Sequence, residues 1–170
     1  MLTMPILFLF YKENGLNTQD LFLLKAVYSI SIVVLEVPSG YLGDVWGRKN
    51  SLILGSILGF IGFALYCVST GLWSFLLCEI ILGAGQSFIS GSDSALLYDS
   101  LMASKREKEY LKYEGRIISA GNFAEAVAAP LGVAIAMISL RTPFYFQTLV
   151  AFAAVPAALL LVEPKRHRIK

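Results

Sequence analysis

Residues 21–69 read LFLLKAVYSISIVVLEVPSGYLGDVWGRKNSLILGSILGFIGFALYCVS. Two apolar runs, 21–43 and 49–69, flank a short polar turn. Each is long enough to cross a bilayer, whose hydrocarbon core takes about 20 residues of helix. The first run carries charge only at Lys25 and Glu36, and the second only at Lys49, where it begins. Strands of such length are rare, so the pattern predicts a membrane-spanning helical hairpin.

Working outward, the alternation continues. Further runs at 72–98, 115–139 and 143–162 are also long enough to span, whereas residues 1–10 (MLTMPILFLF) are too short. That first run has no basic leader and no small-residue cleavage site, which argues against a signal peptide. It is expected to be the end of a partial first span, with residues 11–20 as the loop after it. The expectation is therefore an all-α, six-span bundle over 1–162, followed by a basic tail at 163–170. Bulk composition agrees: of 170 residues 56% are hydrophobic and only 15% charged, with a mean hydropathy of +0.68. A soluble domain carries about 25% charged residues to meet water.

The placement of Lys and Arg predicts orientation. The segments after the second, fourth and sixth spans hold Arg48, Lys49, Lys105, Arg106, Lys108, Lys112, Arg116, Lys165, Arg166, Arg168 and Lys170. The opposite side holds Lys12, Lys25 and Arg141. The richer side is expected to be cytoplasmic. This puts loops 44–50 and 99–115 and the carboxyl terminus inside, in what is expected to be a bacterial plasma membrane. The mixed-charge segment 105–112 reads as a solvated surface helix or loop.

Several classes of function find no support. Cys67 and Cys78 lie in apolar runs without metal-type spacing, and the one histidine, His167, is in the basic tail. No metal, cofactor or nucleic-acid partner is expected. The cysteines read as small packing residues, with a disulfide across the intervening turn as the alternative. A membrane enzyme would need a nucleophile with a base at depth, and none is visible. Gly55, Gly59 and Gly62 read as positions of close helix approach.

The turn itself carries the most specific signal. Within SGYLGDVWGRKN, residues 39–50, the positions Gly40, Leu42, Asp44, Gly47, Arg48 and Lys49 resemble the G-x-L-a-D-x-x-G-R-K signature of the major facilitator superfamily. That signature stands in the same loop, between the second and third spans. The resemblance implies half of a twelve-span transporter, with a small-molecule substrate and a carboxyl-terminal half as partner. It also implies a latch, in which Asp44 and Arg48 hold the two halves in one conformation and Asp99 is the arginine's partner. In the fourth span, EIILGAG (79–85) resembles the family's R-x-x-x-G-x-G at Gly83 and Gly85, but Glu79 stands where arginine is expected. Ala129, Pro130 and Gly132 match only part of the glycine-proline motif of antiporting members.

Charges within the bilayer are costly and so mark function. Glu79, Gln86, Ser90, Asp93 and Ser94 fall along one face of the fourth span. They line a solute path or make interhelical hydrogen bonds. Glu125 follows Arg116 by nine residues, about 13.5 Å of helix rise, which places it near the midplane, with Asn122 on the same face. Glu36 is expected to reach interfacial water, and Lys25 to snorkel to the outer surface. Together these readings predict secondary active transport by alternating access, coupled to protons, of a cationic or neutral solute. Glu125 is the first candidate for the coupling carboxylate. The alternative is a non-transporting six-span module serving interaction or assembly.

Overall fold

The computed structural model describes residues 1–164, so the tail from Lys165 to Lys170, with His167, lies outside the described residues. A 3-10 turn at Met4–Ile6 leads into α1 (Leu7–Glu13). Then follow α2 (Thr18–Trp46), α3 (Arg48–Val68), α4 (Leu72–Ser90), α5 (Asp93–Ala103), α6 (Tyr110–Ala136) and α7 (Thr142–Leu160). The described residues contain no strand. Five helical stretches, with α4 and α5 taken together, are long and apolar enough to cross a membrane.

Local chemistry explains where the helices depart from the expected spans. At the start of α2, Asn17 Oδ1 accepts from the Asp20 N–H at 3.0 Å while Asp20 Oδ2 accepts from the Asn17 N–H at 2.9 Å. This reciprocal cap draws the helix start back to Thr18, ahead of the expected residue 21. At the other end, α2 continues through Asp44 and stops only at Gly47, whose φ of +106° suits glycine alone. The run expected at 72–98 is broken. It ends as α4 at Ser90 and resumes as α5 at Asp93, because Ser90, Gly91 and Ser92 are weak helix formers. α1 continues past Phe10, so Tyr11 is helical and buried where a loop was expected.

The chain packs around α4, which lies against both α2 and α3; α3 in turn carries α7. The α3–α4 crossing is close because it is made of glycine. A Cβ on Gly85 would sit 3.0 Å from the Gly55 carbonyl oxygen, and one on Gly55 would sit 2.8 Å from that of Gly85. Small residues let membrane helices approach in this way. Gly59 differs, since a Cβ there would meet nothing within 4 Å. α6 stands at the edge, touching the 3-10 turn, α5 and α7.

The outer face is far more apolar than that of a soluble domain. Val33, Val34 and Val37 of α2 and Phe123 of α6 are exposed, while Ser39, Ser87 and Glu79 are buried. Ser39 and Ser87 satisfy each other, Oγ to Oγ at 2.7 Å, across α2 and α4. An apolar outer face with polar groups paired inside suits a bilayer, although the buried Ser51 and Ser92 hydroxyls have no hydrogen-bond partner among the described residues. Near the α3–α4 turn an aromatic core gathers Phe10, Tyr11, Tyr66, Phe75 and Phe144, with the Phe10 and Phe144 rings 4.2 Å apart. Arg141 ties this end together, donating to the carbonyls of Cys67 (2.8 Å) and Ser69 (3.0 Å) and to Asn14 Oδ1 (2.9 Å). Cys67 and Cys78 are both free and buried, so the disulfide alternative is not formed.

Candidate functional site in the bundle core

Glu79 lies two turns into α4 and is only 1% exposed. A carboxylate so placed needs partners, because burying an unpaired charge is expensive. Three helices supply them. Lys25 Nζ of α2 donates to Glu79 Oε1 at 2.6 Å. The hydroxyls of Tyr11 on α1 and Tyr66 on α3 each donate to the same oxygen at 2.9 Å. The two hydroxyls also contact each other. Lys25 was expected to snorkel outward. Instead the buried acid draws its ammonium inward, and the Tyr28 ring lies 5.6 Å from it. The position where the family's motif has arginine thus holds an acid, and the positive partner comes from a different helix.

A cavity of about 380 Å³ opens beside this cluster. Glu79, Lys25, Tyr28, Gln86 and Gln147 supply its polar points, and Leu82, Phe63, Phe144 and Val150 are among its apolar walls. Concave sites for small organic molecules have this make-up, mostly apolar with a few convergent polar groups.

Only part of the expected polar face of the fourth span reaches the cavity. Glu79 and Gln86 line it. Ser90 and Asp93 lie beyond it, exposed at the helix break. There Ser90 Oγ bonds the Ser87 carbonyl at 3.3 Å, and Asp93 Oδ1 accepts from the Ser94 N–H at 2.6 Å. The interruption at Gly91–Ser92 ends the register on which a continuous face depended. Ser94 turns to α6, donating to Glu114 Oε1 at 2.8 Å. Glu125 and Asn122 are not brought to this cavity. Both are exposed on α6, and Glu125 Oε1 lies 3.1 Å from the Met1 amine.

At the other end of the bundle the structure brings the motif residues together. Arg48, first residue of α3, places Nη1 3.0 Å from Asp99 Oδ2 on α5 and Nη2 3.5 Å from Asp44 Oδ1. The Arg48 N–H donates to Glu163 Oε1, just past α7, at 3.1 Å. That carboxylate sits at the positive end of α3, where an anion is favoured. Lys49 is partly exposed beside it. Gly40, the first motif glycine, lies against Gly91, where a Cβ would stand 3.7 Å from the Gly40 backbone, but Gly43 is the more tightly packed. A Cβ on Gly40 would meet nothing within 4 Å, whereas one on Gly43 would lie 3.1 Å from Ser92 Oγ and 3.4 Å from Ser51 Oγ. Segment 105–112 is exposed as expected, apart from partly buried Glu109 and Tyr110. Within it, hydrogen bonds from Arg106 at 2.7 Å hold the Glu109 carboxyl below the usual range.

Residues of these sites that escaped the sequence reading include Tyr11, Tyr28, Tyr66, Gln147 and Glu163. One of the tyrosines bonded to Glu79 carried a usable signal. Tyr66, a phenol inside an apolar run, must find a hydrogen-bond partner at depth, whereas Tyr11 fell in the expected loop and gave no such signal.

Apolar spans, a glycine-paired helix crossing and a basic turn braced by three carboxylates define a polytopic membrane protein of the helical-bundle class. The sequence matches the Major Facilitator Superfamily over residues 1–170, and the chain belongs to that family. It corresponds to an amino-terminal half of the family's fold. It is similar to the quinolone resistance protein NorA of Staphylococcus aureus (strain N315), 26% identical over 166 residues. That alignment takes in 97% of this chain and 42% of the relative. It is likewise similar to multidrug resistance protein 2 of Bacillus subtilis (strain 168), 27% identical over 173 residues, 99% of this chain and 42% of the relative. The chain therefore spans less than half the length of the curated relatives it matches.

Proposed function

We propose that this chain is the amino-terminal half of a proton-coupled secondary transporter that moves a small organic molecule by alternating access, with Glu79 as the coupling carboxylate. The observation that carries the reading is a single buried acid at the edge of an organic-sized cavity, held by an ammonium and two phenols. Such a group has two satisfied states. Ionised, it pairs with Lys25; protonated, it releases Lys25 and keeps its hydroxyl neighbours. A change in water access that switches between those states would link proton movement to conformation. The relatives are named for resistance to quinolones and to multiple drugs, which supports drug-like substrates, and the mostly apolar cavity wall suits them. Arg48 and Asp99, 3.0 Å apart, support a latch on the face that the charge bias makes cytoplasmic. The location follows as a bacterial plasma membrane. This reading places the coupling role at Glu79, which lines the cavity, ahead of Glu125, which is exposed on α6.

Flux measured in proteoliposomes, with the carboxyl-terminal half present and with an imposed proton gradient, tests the reading. Glu79→Gln should preserve the fold and abolish gradient-driven flux, while Glu125→Gln should leave it near normal. Gradient-driven flux unchanged in Glu79→Gln overturns the assignment. No flux with either half-length or joined protein would favour the non-transporting module.

A further inference from the structure

We infer that Lys25 is a tethered competitor: its ammonium occupies the cation subsite of the cavity, and an organic ammonium ligand binds by displacing it from Glu79. The inference deepens the transport reading and rests on it for the cavity's purpose, but its geometry stands independently.

The two partners are unequally held. Glu79 is 1% exposed, whereas the Lys25 side chain is 40% exposed. The acid is thus fixed in the core by Tyr11 and Tyr66, while the lysine reaches it from a more open position on α2. A flexible four-carbon stem and a point charge make an ammonium easy to withdraw. Its withdrawal would leave a carboxylate and the Tyr28 ring side by side. Carboxylate and aromatic face are together the chemistry that recognises amines and quaternary ammonium groups. Both residues line the same cavity, whose walls at Phe63, Leu82 and Phe144 suit the apolar body of such a ligand.

The charged and titratable groups around the acid are few. They are Tyr11 from α1, Lys25 and Tyr28 from α2, Tyr66 from α3 and the neighbouring Cys78 on α4, while α7 contributes the neutral Gln147. Lys25 is the one cation among them, so the site as folded is neutral overall. A ligand cation must therefore replace a charge already present. A site that is free only part of the time binds with affinity reduced by that fraction, so an occupancy of nine-tenths by Lys25 lowers apparent affinity about tenfold.

The test is equilibrium binding of ethidium, a fluorescent organic monocation, to the purified protein in nanodiscs at mildly alkaline pH. Lys25→Met keeps length and removes charge, and should tighten binding by about tenfold. The double variant Lys25→Met with Glu79→Gln should lose that gain while keeping the fold, since both charges go together. Lys25→Arg, whose planar guanidinium can grip the carboxylate through two bonds, should bind ethidium several-fold more weakly than the parent. If Lys25→Met fails to give monodisperse protein, the Lys25→Arg result decides alone. Unchanged or weaker binding in Lys25→Met, a gain that survives Glu79→Gln, or unchanged binding in Lys25→Arg overturns the inference. No gradient is applied, so the ordering of affinities can hold while flux fails. Equally, flux can persist while the ordering fails.

Discussion

Arg48 and Asp99 meet at 3.0 Å, joining the first residue of α3 to α5 across 51 positions of sequence, with both side chains about three-quarters buried. Asp44, one turn before Arg48, lies farther from it at 3.5 Å and is 69% exposed. The arginine thus has a strong partner on another helix and a weak one on its own. Removing Asp99 or Arg48 should slow transport and shift the conformational population, while Asp44→Asn should do less. Paired cysteines at 48 and 99 should cross-link. A double-mutant cycle on thermal stability should give about 0.5–1 kcal/mol of coupling for Arg48 with Asp99, the upper range for partly exposed pairs. Zero coupling together with normal flux in both single variants would reduce the pair to incidental proximity.

Gly47 answers to two constraints at once. Its φ is +106°, and a Cβ there would stand 2.6 Å from Glu163 Oε2. Gly47→Ala should therefore lower stability by about 1–3 kcal/mol from backbone strain alone. Glu163→Ala should lose about 1 kcal/mol by removing the acceptor at the start of α3. Combining the two should relieve the contact but leave the strain, so the double variant stays less stable than Glu163→Ala. Thermal unfolding in detergent reads all three, and a double variant as stable as Glu163→Ala would refute the strain argument.

The small residues of α3 should respond unequally. Gly55→Ala drives a methyl toward the Gly85 carbonyl and Ile89, and should destabilise by about 1–3 kcal/mol, as overpacking does. Gly59→Ala meets open space and should be neutral or gain up to about 1 kcal/mol from better helix propensity. Equal effects of the two, measured by thermal unfolding, would contradict the crossing described for α3 and α4.

Topology follows from the charge bias. Single cysteines at Asn17 and Thr70 should react with an impermeant thiol reagent added outside intact cells. Cysteines at Asn50 and Lys108 should react only after the membrane is opened. The opposite pattern would invert the chain and place the Arg48–Asp99 pair outside.

How much of this was legible beforehand depends on the range of the interaction. The apolar runs and the motif turn were readable because each is a property of consecutive residues. Bilayer thickness sets span length, and a helix satisfies its own backbone. Even the pairing of Arg48 with Asp99 was reachable, through likeness to a family rather than through spacing. Other features depend on which faces meet once the helices pack. Lys25 and Glu79 are 54 residues apart, and no periodicity relates them. Tyr11 looked like the start of a loop until α1 carried it into the core against Tyr66. Gly43 is closely packed because Ser51 of α3 and Ser92 of the break between α4 and α5 approach it. The polar face through Ser90 and Asp93 was drawn on an ideal helix that Gly91 and Ser92 interrupt. The sequence by itself determined the number of apolar spans and the helical class, because hydrophobic length acts locally. Only the tertiary structure decided which buried charge meets which, because desolvation is relieved by whatever group the packing brings within reach.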